Sequence, residues 1–293
     1  MILIDQATKK QFNSFCKKNN PKDLETAIEY FTIFGGMNID IDITIPLKDL
    51  IQTEILDKYR YLKNQINAIT GGYSVDQAVL SGIALGDRRT NSSFKRAFVS
   101  FEEGMKCVDG LVERGIIEIE SSQHFLLNQR GDSKISKKLL FTTPFLRFWF
   151  AFVSPIYKGI KEGNYDEFYK NYENRKAEFT GFVFEELAME FLRDAYADDE
   201  IKNIGKYWDD KNSIDLVAKT KSGKTIAASC KYVNSKIKKS ELNNLKNTCK
   251  EVGFEPDICI LFTKKGFTNE LKSLKDETLR LYTAKSFKLL LDK

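Results

Sequence analysis

The sequence predicts an α+β protein: an amino-terminal helical part carrying a winged-helix pattern, then a carboxyl-terminal mixed α/β layer domain. Three observations lead there. Segments of helical period dominate residues 59–112, and a pair of short strand-like runs closes them. After residue 176 the elements follow in the order helix, three strands, helix, strand, an αβββαβ core and not a βαβ repeat. Finally, 293 residues at 42% hydrophobic and 30% charged carry enough apolar matter for packed cores, with two domains as the natural division.

Residues 1–58 read as short helices around a turn at Gly35-Gly36, followed by Ile39–Ile45, whose alternation of Ile and Asp has the period of a strand that Pro46 ends. A helix over about Tyr59–Ile69 stops at Gly71-Gly72, and a second begins at Ser74, an N-cap type residue. A third is expected near Ser92–Glu103 and a fourth up to Val112. Ile116–Glu120 and His124–Leu127, separated by Ser121-Ser122-Gln123, read as a two-stranded hairpin. Helices followed by a hairpin describe a winged helix over 59–140, with Arg88, Arg89, Lys95 and Arg96 flanking the element that would enter a DNA groove. The aromatic-dense stretch 141–175 suits a helical connector packed in a core, base stacking being the rarer use of such a run.

In the last domain, 176–293, a helix over Lys176–Ala195 is apolar almost all round and should be buried. Strands are expected at Glu200–Ile204, Ile214–Ala218 and Thr225–Tyr232, the last two joined by a turn at Ser222-Gly223-Lys224. A helix over Lys239–Val252, a strand over Ile258–Phe262, a short helix over Thr268–Lys275 and a strand over Leu279–Tyr282 complete the domain.

Composition narrows the chemistry. The five cysteines (16, 107, 230, 249, 259) show no C-x-x-C spacing, which suits reduced thiols. His124 is the only histidine, so a His-dependent triad or a His-rich zinc site is not expected. No apolar run approaches the ~20 residues that span a bilayer, and no secretory signal is visible, so a cytoplasmic protein without membrane contact is expected. The net charge of +5 suits nucleic acid without demanding it, and Lys236, Lys238 and Lys239 form a second basic cluster. Solvated surface is the plain alternative for both clusters.

Carboxylates and lysines must therefore carry any chemistry. Glu185 and Glu186 lie in a helix too apolar for solvent, where a buried acid needs a cation, a donor or a proton. Asp215 is the acid of Ile214–Ala218, and Lys231 the charge of Thr225–Tyr232. Ser229 and Lys231, two apart on a strand, share a face. Acids on a helix and a strand with a lysine on the next strand suit phosphodiester hydrolysis: carboxylates hold Mg²⁺ (or Mn²⁺), and the lysine offsets charge on the phosphate. A buried acid–lysine pair without chemistry fits the same spacing.

These stretches resemble the carboxyl-terminal part of the archaeal-type ATPases also widespread in bacteria. The matching segments are GLVERGIIEI from Gly110, TPFLRFWFAFVSP from Thr143, GFVFEELAMEFLR from Gly181, IGKYWDDKNSIDLVA from Ile204, SCKY from Ser229 and ILFTKKGFT from Ile260. YFTIFGGMN from Tyr30 resembles the lid that follows the ATPase core of that family, making 1–58 lid-like. The resemblance implies a final domain of PD-(D/E)XK, restriction-endonuclease-like fold. There is no G-x-x-x-x-G-K-[ST] phosphate loop, so ATP binding and hydrolysis are not expected. Where the family pattern has Glu before Cys-Lys and before Ile-Asp, this chain has Ser229 and Ser213, and a neutral hydroxyl replaces a carboxylate poorly on Mg²⁺.

Three functions follow. The first is a metal-dependent DNA nuclease with Asp215, Glu185 and Glu186 toward the metal and Lys231 as electrostatic catalyst. The second is a non-catalytic DNA-binding or regulatory protein using the winged helix. The third is a subunit that docks on a protein partner.

Overall fold

The computed structural model describes residue 2, residues 7–127 and residues 135–291. The chain divides into two compact units. Unit 1 comprises Met1–Lys22, Glu29–Glu120 and Ser136–Phe179; unit 2 comprises Asp23–Ile28, Ser121–Ile135 and Thr180–Lys293.

Unit 1 is built from helices. α1 (Thr8–Asn19) and α2 (Leu24–Phe34) precede α3 (Leu47–Ile51), α4 (Tyr59–Thr70), α5 (Ser74–Leu85), α6 (Thr90–Ala97) and α7 (Phe101–Glu113). The Ile/Asp alternation of 39–45 forms no strand, because Asp42 accepts hydrogen bonds from the N–H and hydroxyl of Thr44 and closes a local turn instead. The expected helix over Ser92–Glu103 is two helices. Phe98 takes a left-handed conformation, and Ser100 caps α7 in a reciprocal box with Glu103, so side-chain capping breaks the run where periodicity alone would carry it through. α5 and α6 pack closely at Gly82, where an added Cβ would lie 2.4 Å from the Ser93 carbonyl oxygen.

The hairpin differs from expectation. β1 (Ile117–Glu120) pairs antiparallel with β2 (Lys138–Phe141), whereas His124–Leu127 forms a 3-10 turn in unit 2. His124 is buried there edge-on against Tyr207, and Ser122 exchanges hydrogen bonds with the backbone of Trp208 at 2.7 and 2.8 Å. A third short pairing, Arg89 with Lys138, widens the β1–β2 ribbon. Within 141–175, α8 (Pro144–Phe148) is capped by Thr143 and continues as a π-helical turn over Trp149–Val153. Phe145, Phe148, Trp149, Phe150 and Phe152 are buried, and Arg147 lies 4.1 Å from the Phe179 ring centroid. These aromatics fill the core of unit 1 and are closed to base stacking. α9 (Tyr157–Lys161) then leads to α10 (Asp166–Ala195), whose 30 residues begin ten earlier than the apolar pattern suggested because its first turns are polar.

Unit 2 holds a five-stranded sheet whose spatial order repeats its sequence order: β3 (Ile201–Trp208), β4 (Ser213–Thr220), β5 (Thr225–Lys231), β6 (Ile258–Thr263) and β7 (Leu279–Thr283). The first three are antiparallel, and β5, β6 and β7 are parallel. α11 (Lys239–Glu251) makes the crossover from β5 to β6, and α12 (Asn269–Ser273) that from β6 to β7. One face of the sheet packs Ala227, Leu261 and Leu279 with Leu242, Leu245 and Cys249 of α11. The other packs Phe262 and Tyr282 against Phe191 of α10, and Phe184 meets Tyr232 and Phe287.

Candidate active site

The antiparallel pairing of β4 with β5 and the parallel pairing of β5 with β6 bring the start of β4 and the ends of β5 and β6 to one edge of the sheet. Asp215 stands there. The β4–β5 ladder ends at the pair Leu216 with Ala228, and one residue further on the Asp215 carboxylate accepts the Cys230 N–H at 2.8 Å in place of a backbone carbonyl. Its Oδ2 also accepts the Ser229 hydroxyl at 3.3 Å. Burial pushes the Asp215 carboxyl up from its ordinary range and Glu185 adds to this, while Lys231, the Cys230 N–H and Lys206 pull it down.

Lys231 closes β5 and is half-buried. Burial works to lower its pKa, but Asp215 and Glu241 outweigh that and hold it above the ordinary lysine value. Its ion pair is with Glu241, at 3.4 Å. Glu241 lies on the first turn of α11 and also accepts the Ser229 hydroxyl, at 2.9 Å. Ser229 thus has one hydrogen to share between two carboxylates. Cys230 points to the opposite face, and burial holds its thiol well above its usual range, which removes it as a nucleophile.

Glu185, on α10, pairs with Lys206 at 2.6 Å, with side chains 19% and 5% exposed. Lys206 is inward because the β3–β4 register slips between Gly205 and Tyr207, so four successive residues, Gly205 to Trp208, are buried. Glu186 is half-buried on the next position of α10.

The predicted residues Glu185, Asp215, Ser229 and Lys231 therefore converge on one cluster. Two members escaped sequence reasoning. Lys206 was hidden by a bulge that breaks strand alternation, and Glu241 by its place in an otherwise ordinary charged helix. An acid in the first turn of α11 directly after a lysine-rich loop was the one signal for Glu241.

The basic residues fall into two groups. In unit 2, Lys231–Lys239 carries four lysines and no acid. Lys236 and Lys238 are exposed, and Lys239 pairs with Glu270 at 3.7 Å. This loop is fastened to the β6–α12 loop by the Ile237 N–H to Gly266 and the Thr268 N–H to Ile237, both 2.9 Å, and Lys264 of that loop stands 4.7 Å above the Tyr232 ring. In unit 1, Lys95 and Arg96 are exposed at the end of α6, and Arg89 is half-buried, 4.0 Å from Asp87. Arg88 corrects the expectation: it is 6% exposed, with its carbonyl taken by the Leu139 N–H, and so does not present a surface contact.

The donor set suits a hard cation. Asp215 and Glu241, which both accept the Ser229 hydroxyl, offer oxygen only, while Glu185 on α10 is engaged by Lys206. Thr263, opposite Lys231 in the β5–β6 ladder, is fully buried, and its hydroxyl has no hydrogen-bond partner among the described residues. Among those residues no group of three or more His, Cys, Asp and Glu side chains is placed to hold a metal ion. The fit is thus to an ion held by one or two carboxylates and completed by water, as Mg²⁺ commonly is.

Fold and cluster together define an α+β protein whose second unit is a mixed five-stranded sheet with an acid–lysine cluster at one edge. Residues 149–244 match the model of a family described as archaea bacterial proteins of unknown function (DUF234). All six cluster residues, Glu185, Lys206, Asp215, Ser229, Lys231 and Glu241, fall inside that span. No curated protein and no solved structure matches the chain. No helix of the described residues is long and apolar enough to cross a membrane.

Proposed function

We propose that unit 2 is a metal-dependent nuclease of PD-(D/E)XK type acting on DNA, with Asp215, Glu185 and Lys231 at its centre. The observation that carries this reading is the convergence of Asp215 and Lys231, from adjacent strands, beside a helix carboxylate and a lysine-rich loop. Asp215 and an acid beside it would hold Mg²⁺ or Mn²⁺. A bound divalent ion supplies charge neutralisation of the phosphate and a more acidic water. Lys231, kept protonated by its acidic neighbours, is placed to donate to a phosphate oxygen as negative charge builds there. Lys206 holds the Glu185 carboxylate inward through their 2.6 Å ion pair. Lys236 and Lys238 flank the cluster as exposed positive charge for the phosphate backbone, a contact that is independent of sequence.

In the same reading, α5 to α7 with the β1–β2 ribbon form a winged helix. Its last helix, α7, carries Glu102, Glu103, Asp109 and Glu113 against Lys106. Four acids to one base oppose a phosphate backbone, which favours protein contact over DNA contact for this module.

Supercoiled plasmid incubated with Mg²⁺ or Mn²⁺ tests the reading. Metal-dependent nicking is expected, and it should fall at least ~100-fold in Lys231→Met and Asp215→Ala, the scale at which loss of an electrostatic catalyst acts. Absence of cleavage by the unaltered protein, or equal cleavage by both variants, would overturn it.

A further inference from the structure

Ser229 occupies the strand position where an acid is wanted, and the structure shows what stands next to it. The Ser229 hydroxyl reaches Glu241 at 2.9 Å and Asp215 at 3.3 Å, and Lys231 reaches the same Glu241 oxygen at 3.4 Å. An acid in the first turn of a helix is favoured by the helix dipole alone, and from there it could point anywhere into solvent. Glu241 instead turns toward the end of β5, onto Ser229 and Lys231, which share a face of that strand, and the same Ser229 hydroxyl also reaches Asp215. A second observation is independent of this contact: Thr263, fully buried and in register with Lys231, has a hydroxyl without a hydrogen-bond partner among the described residues. Residues in register on adjacent strands share a face, so this unfilled hydrogen-bonding group lies on the face that carries Ser229 and Lys231, and a bound water is what would satisfy it.

We infer that Glu241 is the missing carboxylate of this site, supplied by α11 in place of β5, and that with Asp215 it binds a divalent cation. The inference rests on the nuclease reading and extends it: Ser229 becomes a spacer between two acids and not the scar of a lost one. Lys231 then serves two masters, neutralising Glu241 in the free protein and turning to phosphate when a cation takes that carboxylate.

Mn²⁺ titration followed by electron paramagnetic resonance, on the full chain without nucleic acid, tests this apart from activity. The unaltered protein should bind Mn²⁺, and Glu241→Gln should weaken binding at least ~10-fold, the loss of one charged ligand. The relocated acid, Ser229→Glu with Glu241→Gln, should restore binding to within about threefold, and a circular dichroism melt confirms that each variant is folded. Equal Mn²⁺ affinity of the unaltered protein and Glu241→Gln overturns the role of Glu241 and leaves the nuclease reading standing on Asp215 and Glu185. No Mn²⁺ binding by the unaltered protein overturns both.

Discussion

The two units present charge in opposite ways. In unit 1 the basic residues named by the sequence are scattered: Arg88 is buried, Arg89 faces Asp87, and only Lys95 and Arg96 lie open, ahead of an acidic α7. In unit 2 four lysines fall within nine residues that contain no acid; Lys231 pairs with Glu241 in the cluster and Lys239 with Glu270, and Lys236 and Lys238 are exposed. Exposed positive charge thus stands beside the acid–lysine cluster in the second unit, whereas in the first unit basic residues collect on α1, with Lys9, Lys10, Lys17 and Lys18, and not at the basic residues of 88–96. Under the proposed function, a nucleic acid drawn to Lys236 and Lys238 would meet the acid–lysine cluster, and the helical module would be left for another kind of contact.

The same contrast separates ion pairs by what they do for stability. Glu185–Lys206 in unit 2 is nearly dry, whereas Glu102–Lys106 on α7 is an open i,i+4 pair with side chains 80% and 74% exposed. Glu185→Gln should therefore cost about 3 kcal/mol in urea unfolding, because it strands a buried ammonium, and adding Lys206→Met should recover most of the loss. Glu102→Gln should leave the unfolding midpoint unchanged. Equal costs at the two sites would remove the distinction.

A smaller effect concerns pH. Burial and Glu185 raise the Asp215 pKa in the folded protein, so folding takes up protons at this group. The group's penalty is absent below its unfolded pKa, near 3.9, and grows as pH rises through the raised folded value. Asp215→Asn should accordingly raise Tm at pH 7.5, with the gain shrinking toward pH 4. A Tm lowered at neutral pH and unaffected by acid would mean that Lys231 and the Cys230 N–H outweigh the burial.

How much of this could be read from the chain varies by element. The strand positions of Asp215 and Lys231 were legible because Asp215 is the lone acid of its strand and Lys231 the lone charge of its own, and the αβββαβ order followed from alternation and turn residues. The β1–β2 pairing was not. Its partner strand lies beyond His124–Leu127, and the choice between two apolar runs was made by tertiary burial of that turn against Tyr207 and Trp208. Lys206 was illegible for a related reason, since a bulge moves its side chain to the face that period two denies it. The start of α11 at Lys239 was legible, but Glu241 looked like any acid in a charged helix because its contacts with Ser229 and Lys231 come from how α11 packs on β5. Local pattern gave the pieces, and sheet register assembled them.

The account turns on which unit meets the phosphate backbone, and fluorescence anisotropy with a labelled DNA duplex at several salt concentrations decides it. Lys236→Ala with Lys238→Ala should weaken binding about tenfold at low salt and flatten the dependence of log K on log salt by about 2, as two phosphate contacts would. Lys95→Ala with Arg96→Ala should leave both affinity and slope unchanged. The reverse outcome, with loss confined to the α6 pair, would contradict it and return DNA recognition to the helical module.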